Sequence, residues 1–359
     1  MNIIFLIGKL SFSGAENVLR SIAPEIAKRG HNVEIMVMYG TDSADDLSGV
    51  TVQLYGAEGN ALQRRKRRYA NIRKEAIRFK ADVIVGFGFP MNFDAVMGAK
   101  GTNAVPVICE RMDPYKSFQK MSFRIQKKFF YPMAKGYVVQ TPQIKAYYEK
   151  HYSGKKDIAV IPNPVRQSYA VSQKSDVEIE DYIITVGRLD DAQKNQSMLF
   201  RAFAEVVKKY PSMRLKLAGS GKDLDKFVRT VNELGISENV DFLGNIKDPT
   251  DLVKHAKLFV LTSNHEGMPN ALIEAMSLGK ACLSTRCSGG GAEYLIDNGI
   301  NGVLVDIDDD VSLSKEMNKL LGDEKYRHQL ENNAFQINST LKLDKIVDMW
   351  TAYLQKFLH

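Results

Sequence analysis

The sequence predicts an α/β protein of two doubly wound parallel-sheet domains facing each other across a cleft. Three observations predict it. Short β-branched runs alternate with amphipathic helical stretches along most of the chain, the pattern of parallel strands joined by crossover helices. The pattern breaks once, in the proline-bounded and polar region 163–180, and then restarts. At 359 residues the chain is also longer than one hydrophobic core usually spans.

The first strand is Asn2–Ile7, a run suited to burial on both faces. A loop with Gly8 and Gly14 leads to a helix at Ala15–Arg29, closed by Gly30 in the C-cap position. Pro24 inside it predicts a kink or a restart. Strands follow at His31–Met38, Asp82–Phe87, Val105–Cys109, Gly136–Gln140 and Ile158–Ile161. Beyond the boundary the order is strand Tyr182–Val186, helix Gln196–Lys209, strand Leu215–Ala218, helix Leu224–Leu234, strand Val240–Leu243 and helix Thr250–Ala256. Strand Leu258–Leu261, helix Asn270–Leu278 and strands Ala281–Ser284 and Gly302–Val305 complete the second sheet. Three helical segments fill Asp310–His359. The expected domains are 1–165 and 166–338, with 339–359 as a helix packing back on the first. No sequence repeats; only the βαβ plan recurs.

A chain with 44% hydrophobic and 25% charged residues is neither disordered nor fibrous. The apolar runs Ile3–Ile7, Val83–Val85 and Leu258–Leu261 fall far short of the ~20 residues that cross a bilayer. Met1-Asn2 running straight into a strand gives no basic lead-in and no cleavage site, so no secretory signal is expected. Cys109, Cys282 and Cys287 are too few for a disulfide framework and have no metal-ligand spacing, which suits a reducing cytoplasm. Charge is uneven. Residues 1–165 hold 25 Lys and Arg against 14 Asp and Glu, a net +11, and 166–359 hold 24 against 28, a net −4. The first half therefore implies a neutralising partner.

Two strand-ending turns carry candidate chemistry. Val186-Gly187-Arg188-Leu189 followed by Lys194-Asn195 sets a planar fork of donors and a compact point charge beyond a buried strand, which suits a diphosphate. The alternative is two solvated loop cations. In His265-Glu266-Gly267-Met268-Pro269-Asn270-Ala271-Leu272-Ile273-Glu274, Pro269 fits a helix start, with Glu266 at the entrance and Glu274 about one turn in. The N–H groups of Asn270, Ala271 and Leu272 would form an anion cradle. The alternative is that Glu266 only complements the helix dipole and Glu274 lies on the surface. Ser288-Gly289-Gly290-Gly291-Ala292-Glu293 reads as a plain loop when taken alone. No Gly-x-Gly-x-x-Gly follows the first strand, and no Gly-x-x-x-x-Gly-Lys occurs.

The ordered set Val186–Leu189 with Lys194-Asn195, Asp241-Phe242-Leu243-Gly244, Glu266-Gly267-Met268-Pro269-Asn270…Glu274 and Gly289-Gly290…Glu293 resembles retaining glycosyltransferases of family 4. Their fold is GT-B, two facing Rossmann-like domains with a cleft between them. The similarity spans essentially the whole chain and is strongest over Tyr182–Asp306. It looks most like bacterial members that extend lipid-linked oligosaccharides, such as those of capsule, O-antigen or protein glycosylation. The resemblance implies that Arg188 and Lys194 hold the donor diphosphate and stabilise the leaving group, with Gly187 in the turn before them. Glu266 would contact hydroxyls of the transferred sugar, while Gly267, Met268, Pro269, Asn270, Ala271 and Leu272 line sugar and phosphate. Glu274 would take the ribose hydroxyls. Leu243–Ile246, Asn245 among them, would meet the nucleobase, and Gly14 would approach the donor phosphates on closure. Such enzymes need no metal and retain configuration through an oxocarbenium-like state, so no covalent nucleophile is named. Two departures stand out. Ser13-Gly14 replaces Gly-Gly, and Cys109-Glu110-Arg111-Met112-Asp113-Pro114 has no histidine where many relatives have one. Arg111 is no base at neutral pH. Glu110, Asp113 or a donor phosphate oxygen would take the acceptor proton, or Glu110 simply partners Arg111.

The first half has two basic clusters. Arg64-Arg65-Lys66-Arg67-Arg68 continues through Arg73, Lys74, Arg78 and Lys80, and Lys120, Arg124, Lys127 and Lys128 interleave with Phe118, Phe123, Phe129, Phe130 and Tyr131. Cations mixed with aromatics suit the headgroup layer of an anionic membrane. A solvated helix face over core aromatics and a nucleic-acid surface are the other readings; the membrane is preferred because both clusters fall in the half expected to bind acceptor. The expected function is transfer of a hexose or N-acetylhexosamine from a nucleotide sugar, UDP-linked first, to a polyprenyl-diphosphate-linked saccharide. The enzyme would sit on the cytoplasmic face of the membrane, with no cofactor, metal or nucleic acid. Two readings stay open beside it: a nucleotide-sugar epimerase of the same architecture, and a non-catalytic membrane or nucleic-acid-binding module.

Overall fold

A computed structural model describes residues 1–10, 14–39, 47–55, 60–116, 121–152, 157–166 and 178–358. Ser11, Phe12, Ser13, Phe118, Lys120 and the part of the polar boundary stretch at 171–177 lie outside the described residues. The chain divides into two units, Met1–Pro164 with Leu343–His359, and Val165–Lys342.

The first unit runs β1 (Asn2–Ile7), α1 (Gly14–Lys28), β2 (Asn32–Val37), β3 (Val50–Leu54), α2 (Ala61–Arg78), β4 (Val83–Phe87), α3 (Met91–Gly98), β5 (Val105–Cys109), α4 (Met121–Phe130), β6 (Gly136–Val139), α5 (Pro142–His151) and β7 (Asp157–Val160). Its seven strands are ordered β3-β2-β1-β4-β5-β6-β7, and their pairings are parallel. Local chemistry sets the helix ends. Asn60 and Gln63 close a capping box on α2, and Thr141 Oγ1 accepts from Ile144 N at 3.1 Å with Pro142 in the first turn of α5. Pro24 lies inside an unbroken α1 and starts no second helix. β3 escapes a periodicity search because it is an edge strand with no fully buried side chain, polar at Thr51 and Gln53. α3 escapes it for the opposite reason: it is buried nearly all round, so it has no polar face.

The second unit runs β8 (Tyr182–Val186), α6 (Asp191–Lys194), α7 (Gln196–Lys209), β9 (Arg214–Ala218), α8 (Leu224–Glu233), β10 (Val240–Phe242), α9 (Thr250–His255), β11 (Leu258–Leu261), α10 (Asn270–Ser277), β12 (Ala281–Thr285), α11 (Gly291–Leu295), β13 (Val303–Val305), α12 (Asp310–Gly322), α13 (Glu324–Ala334) and α14 (Ile337–Thr340). The strand order is β10-β9-β8-β11-β12-β13, again parallel. Ile183, Leu215, Leu217, Val260 and Leu283 pack one face of this sheet against Leu199, Phe203, Phe227, Leu313 and Met317. The order reverses between β8 and β11. Chains leaving these two strands diverge, and the crevice at their carboxyl ends is where such sheets hold ligands.

The last helix, α15 (Leu343–Gln355), belongs to the first unit, so 310–359 holds four helices where three were expected. Trp350 is 1% exposed and meets Phe5 at 6.0 Å and Phe87 at 6.2 Å between ring centres. Arg29 Nε donates to Asp348 Oδ1 at 3.0 Å, and Tyr353 Oη donates to the Asp157 carbonyl at 2.6 Å. Trp350→Ala should cost about 3–5 kcal/mol of stability. A thermal melt should then show the transition lowered by roughly 10 °C; an unchanged midpoint would mean that α15 does not hold this core.

Candidate active site

The loops after β8 and β11, at the strand-order reversal, bring the expected donor residues together. Lys194, at the end of the single turn α6, places Nζ 2.5 Å from Glu266 Oε1. Ser263 Oγ donates to the same oxygen at 2.9 Å. Both members of the pair are largely buried, so little water screens them. Arg188 stays exposed, and its Nη2 donates to Gln193 Oε1 at 2.6 Å. Thr262, Ser263, Asn264 and Gln193 carry no sequence motif of their own, and their part was not legible.

Two close approaches shape the backbone here. A Cβ on Gly219 would stand 1.9 Å from the Gly187 carbonyl oxygen, so only glycine lets the end of β9 lie against the Gly187-Arg188 turn. Gly219 N also donates to the Gly244 carbonyl at 2.7 Å, which draws the loop carrying the exposed Asn245 to the same end of the sheet. On the other side, a Cβ on Gly291 would stand 2.5 Å from the Gly267 carbonyl oxygen. Glu266 N donates to the Ser288 carbonyl at 3.2 Å, and His265 pairs in parallel with Ser288. The glycine-rich turn at 288–291 is therefore the floor against which the Glu266–Pro269 loop lies.

One expectation needs correction. Leu272 N donates to the Pro269 carbonyl at 3.1 Å, so the three-donor cradle over Asn270, Ala271 and Leu272 is not formed. Gly267, Met268 and Pro269 are buried in the loop before α10, and Asn270 and Ala271 are partly exposed at its start. Glu274 is no surface residue. It sits partly buried in the second turn of α10 with Arg166 Nη1 3.9 Å from Oε1. Burial pushes its carboxyl up to about 7; Arg166 pulls it down and Asp248 pushes it up.

The first unit revises the remaining expectations. Glu110 is fully buried at the end of β5, and its Oε2 accepts from Lys127 Nζ at 3.1 Å and from Tyr148 Oη at 2.5 Å. Its partner is thus Lys127, with Arg111 elsewhere: Arg111 Nη2 donates to Asn163 Oδ1 at 2.5 Å and its guanidinium lies 4.7 Å from the centre of the Phe87 ring. Asp113 is also buried, and its Oδ1 accepts from Tyr115 N at 2.9 Å as the cap of a turn. Lys127 was expected on the membrane face; at 5% exposure it is an internal ion-pair partner, because a buried carboxylate requires a cation. Arg65 and Arg68 likewise turn inward. Arg68 Nε lies 3.3 Å from the buried Asp94, and Arg65 stands 4.6 Å above Phe93. Arg64, Lys66, Arg67 and Lys128 remain exposed. Gly14 opens α1 at the surface of this unit. Among the described residues no helix is long and apolar enough to cross a membrane, and no group of three His, Cys, Asp or Glu is placed to hold a metal ion.

Comparison with known proteins identifies the family. The model described as Glycosyltransferase Family 4 matches residues 12–168, and that described as Glycosyl transferases group 1 matches 171–337. Over 357 residues the chain is 28% identical to the GalNAc-α-(1→4)-GalNAc-α-(1→3)-diNAcBac-PP-undecaprenol α-1,4-N-acetyl-D-galactosaminyltransferase of Campylobacter jejuni, covering 98% of this chain and 97% of that one. Among solved structures, Anabaena HepE in complex with UDP and glucose aligns at a TM-score of 0.84 and 18% identity, with 99% of both chains covered. WaaG, a glycosyltransferase involved in lipopolysaccharide biosynthesis, aligns at 0.77 and 19%, covering 98% of this chain and 99% of that one. With both units matched in turn by these models, and with the strand orders and loops described above, the chain belongs to the family 4 glycosyltransferases of GT-B fold.

Proposed function

We propose that this glycosyltransferase is retaining and metal-independent, and moves a hexose or N-acetylhexosamine from a UDP-linked donor to a saccharide on polyprenyl diphosphate. The observation that carries the reading is the Lys194–Glu266 pair at the strand-order reversal of the second sheet. The UDP and glucose bound by HepE support the donor class, and the PP-undecaprenol in the name of the Campylobacter relative supports the acceptor class.

In this reading the anomeric C–O bond to the diphosphate breaks as the acceptor oxygen bonds to the same carbon. Negative charge gathers on the terminal phosphate, where Lys194 and Arg188 stabilise it. Both hydrogen bonds to Glu266 land on Oε1, so Oε2 is the oxygen left for a sugar hydroxyl. Gly187 and the 267–271 backbone border sugar and phosphate, Glu274 takes the ribose hydroxyls, and the loop with Asn245 meets the base. Gly14 remains a proposed phosphate contact from the first unit. Because Glu110 and Asp113 are buried and engaged, the acceptor proton passes to a donor phosphate oxygen. Arg188→Ala and Lys194→Ala should each lower kcat by about 10²–10³-fold, while a chelator leaves the wild-type rate unchanged. Intact turnover in either variant removes the donor site. An inverted product anomer removes retention, and release of free sugar without acceptor favours an epimerase.

Ribose hydroxyls need the ionised form of Glu274, whose carboxyl stands at about 7. Donor KM should therefore fall severalfold as the pH rises from roughly 6 to 8, and Glu274→Gln should flatten that profile. A profile unchanged by the substitution would remove Glu274 from the donor site.

The exposed cations of α2 and a groove of about 1000 Å³ over α4 and α5 support a membrane-facing first unit. The groove is lined by Arg124, Lys128 and Lys150 together with Met121, Ile125 and Phe129; Met121 is 64% and Phe129 63% exposed. Reversing charge at Arg64, Lys66 and Arg67 should weaken binding to phosphatidylglycerol vesicles by roughly a hundredfold, at about 1 kcal/mol per cation. Unchanged sedimentation with vesicles would remove this surface.

A further inference from the structure

Asn195 follows Lys194 in the sequence and the donor reading gives it no part, yet its placement is unusual. It is the single residue between α6 and α7, in the left-handed region at φ 48° and ψ 45°, where a side chain other than Asn or Asp is poorly tolerated. It is 7% exposed. Its one amide nitrogen donates in two directions, to Asn264 Oδ1 at 3.0 Å and to Asp308 Oδ1 at 2.8 Å. Asp308 also has a left-handed backbone, at φ 62°, in the loop after β13. The amide therefore ties together loops that leave three different strands, β8, β11 and β13.

The same loop after β11 grips the whole turn that carries Lys194. Asn264 Nδ2 donates to the Ala192 carbonyl at 3.2 Å, Asn264 N to the Gln193 carbonyl at 2.8 Å, and Thr262 Oγ1 to the Lys194 carbonyl at 2.9 Å. Three successive carbonyls at the end of α6 are thus held by residues 262–264, two and more positions before Glu266, the partner of the Lys194 ammonium. An amide at 195 that donates to Asn264 leaves the nitrogen of Asn264 for Ala192, which fixes the direction of that side chain as well.

We propose that Asn195 is the positioning residue for Lys194, with Asp308 anchoring its amide, so that the ammonium is held where the leaving diphosphate requires it. The inference rests on the donor reading above. A misplacement of about 1 Å in such a group is enough to cost roughly a hundredfold in rate.

The test uses the full chain with UDP-N-acetylgalactosamine and the other UDP-hexoses as donors, and UDP itself as the binding probe. Asn195→Gly keeps the left-handed backbone and deletes only the amide. Its kcat should fall by about tenfold to a hundredfold, with donor KM, UDP affinity by calorimetry and the melting midpoint nearly unchanged. Asp308→Gly, which also keeps the left-handed backbone, should show the same split, and Asp308→Asn, which keeps an accepting oxygen, should recover most of the lost rate. A kcat unchanged in Asn195→Gly, or one that falls only in step with the melting midpoint, overturns the proposal. Equal rates in Asp308→Gly and Asp308→Asn remove Asp308 from it. Lys194→Ala separates the two levels: full turnover there removes the donor reading and this inference together. An inactive Lys194→Ala beside a fully active Asn195→Gly removes the inference alone.

Discussion

The parallel pairing of β8 with β11 is the constraint on which the candidate site depends. Ile183 stands opposite Leu258, and Ile184 opposite Phe259, although two strand–helix units separate them in sequence. A right-handed crossover on each side sends the chain away from the seam in opposite directions. The loops at the seam are thereby left to face each other, and side chains 72 residues apart in sequence, Lys194 and Glu266, come within hydrogen-bond reach. Neither loop is held by its own length. The first is fixed by side chains from the second, and the second lies on the glycine-rich turn after β12. A sheet with these strands in simple sequential order would carry the same residues and no site.

Electrostatics divides the molecule differently from its sequence. The surplus of cations in the first half suggested a surface waiting for an anionic partner. Part of that surplus is paired with buried carboxylates: the exposed Arg78 lies 2.9 Å from the buried Glu34, Arg68 pairs with Asp94, and Lys127 with Glu110. Burial still raises the carboxyls of Glu34 to about 7 and of Asp94 to about 6, so these cations offset only part of the desolvation. What stays outward is the stripe of α2 and the rim of the groove over α4. The aromatics of the second cluster divide in the same way. Tyr131 is fully buried among tyrosines, and Phe129 faces solvent.

Much of the architecture was legible because strands buried on both faces are unbroken apolar runs and because the turns after β8 and β11 keep recognisable residues. The parts that escaped share a cause. Periodicity reports contrast between faces, so the all-round burial of α3 and the exposure of β3 both erase it. A run of charges has no direction, so Lys127 and Lys128 look alike although one is interior and the other exposed. The N–H of Leu272 looked available because hydrogen-bonding partners within a first turn depend on backbone angles, which spacing does not fix. Asn195 was visible as a neighbour of Lys194, but its two oxygen acceptors come from loops 69 and 113 residues away. No local pattern encodes such a meeting.

The seating of Trp350 against Phe5 and Phe87 has a consequence for biogenesis. A core that includes Phe5 of β1 is closed by a helix made more than three hundred residues later. On the ribosome, the early strands must wait with an apolar face uncovered while the entire second unit is synthesised and folds. Such long-range closure is slow and leaves an interval in which the nascent chain is open to chaperones or to self-association.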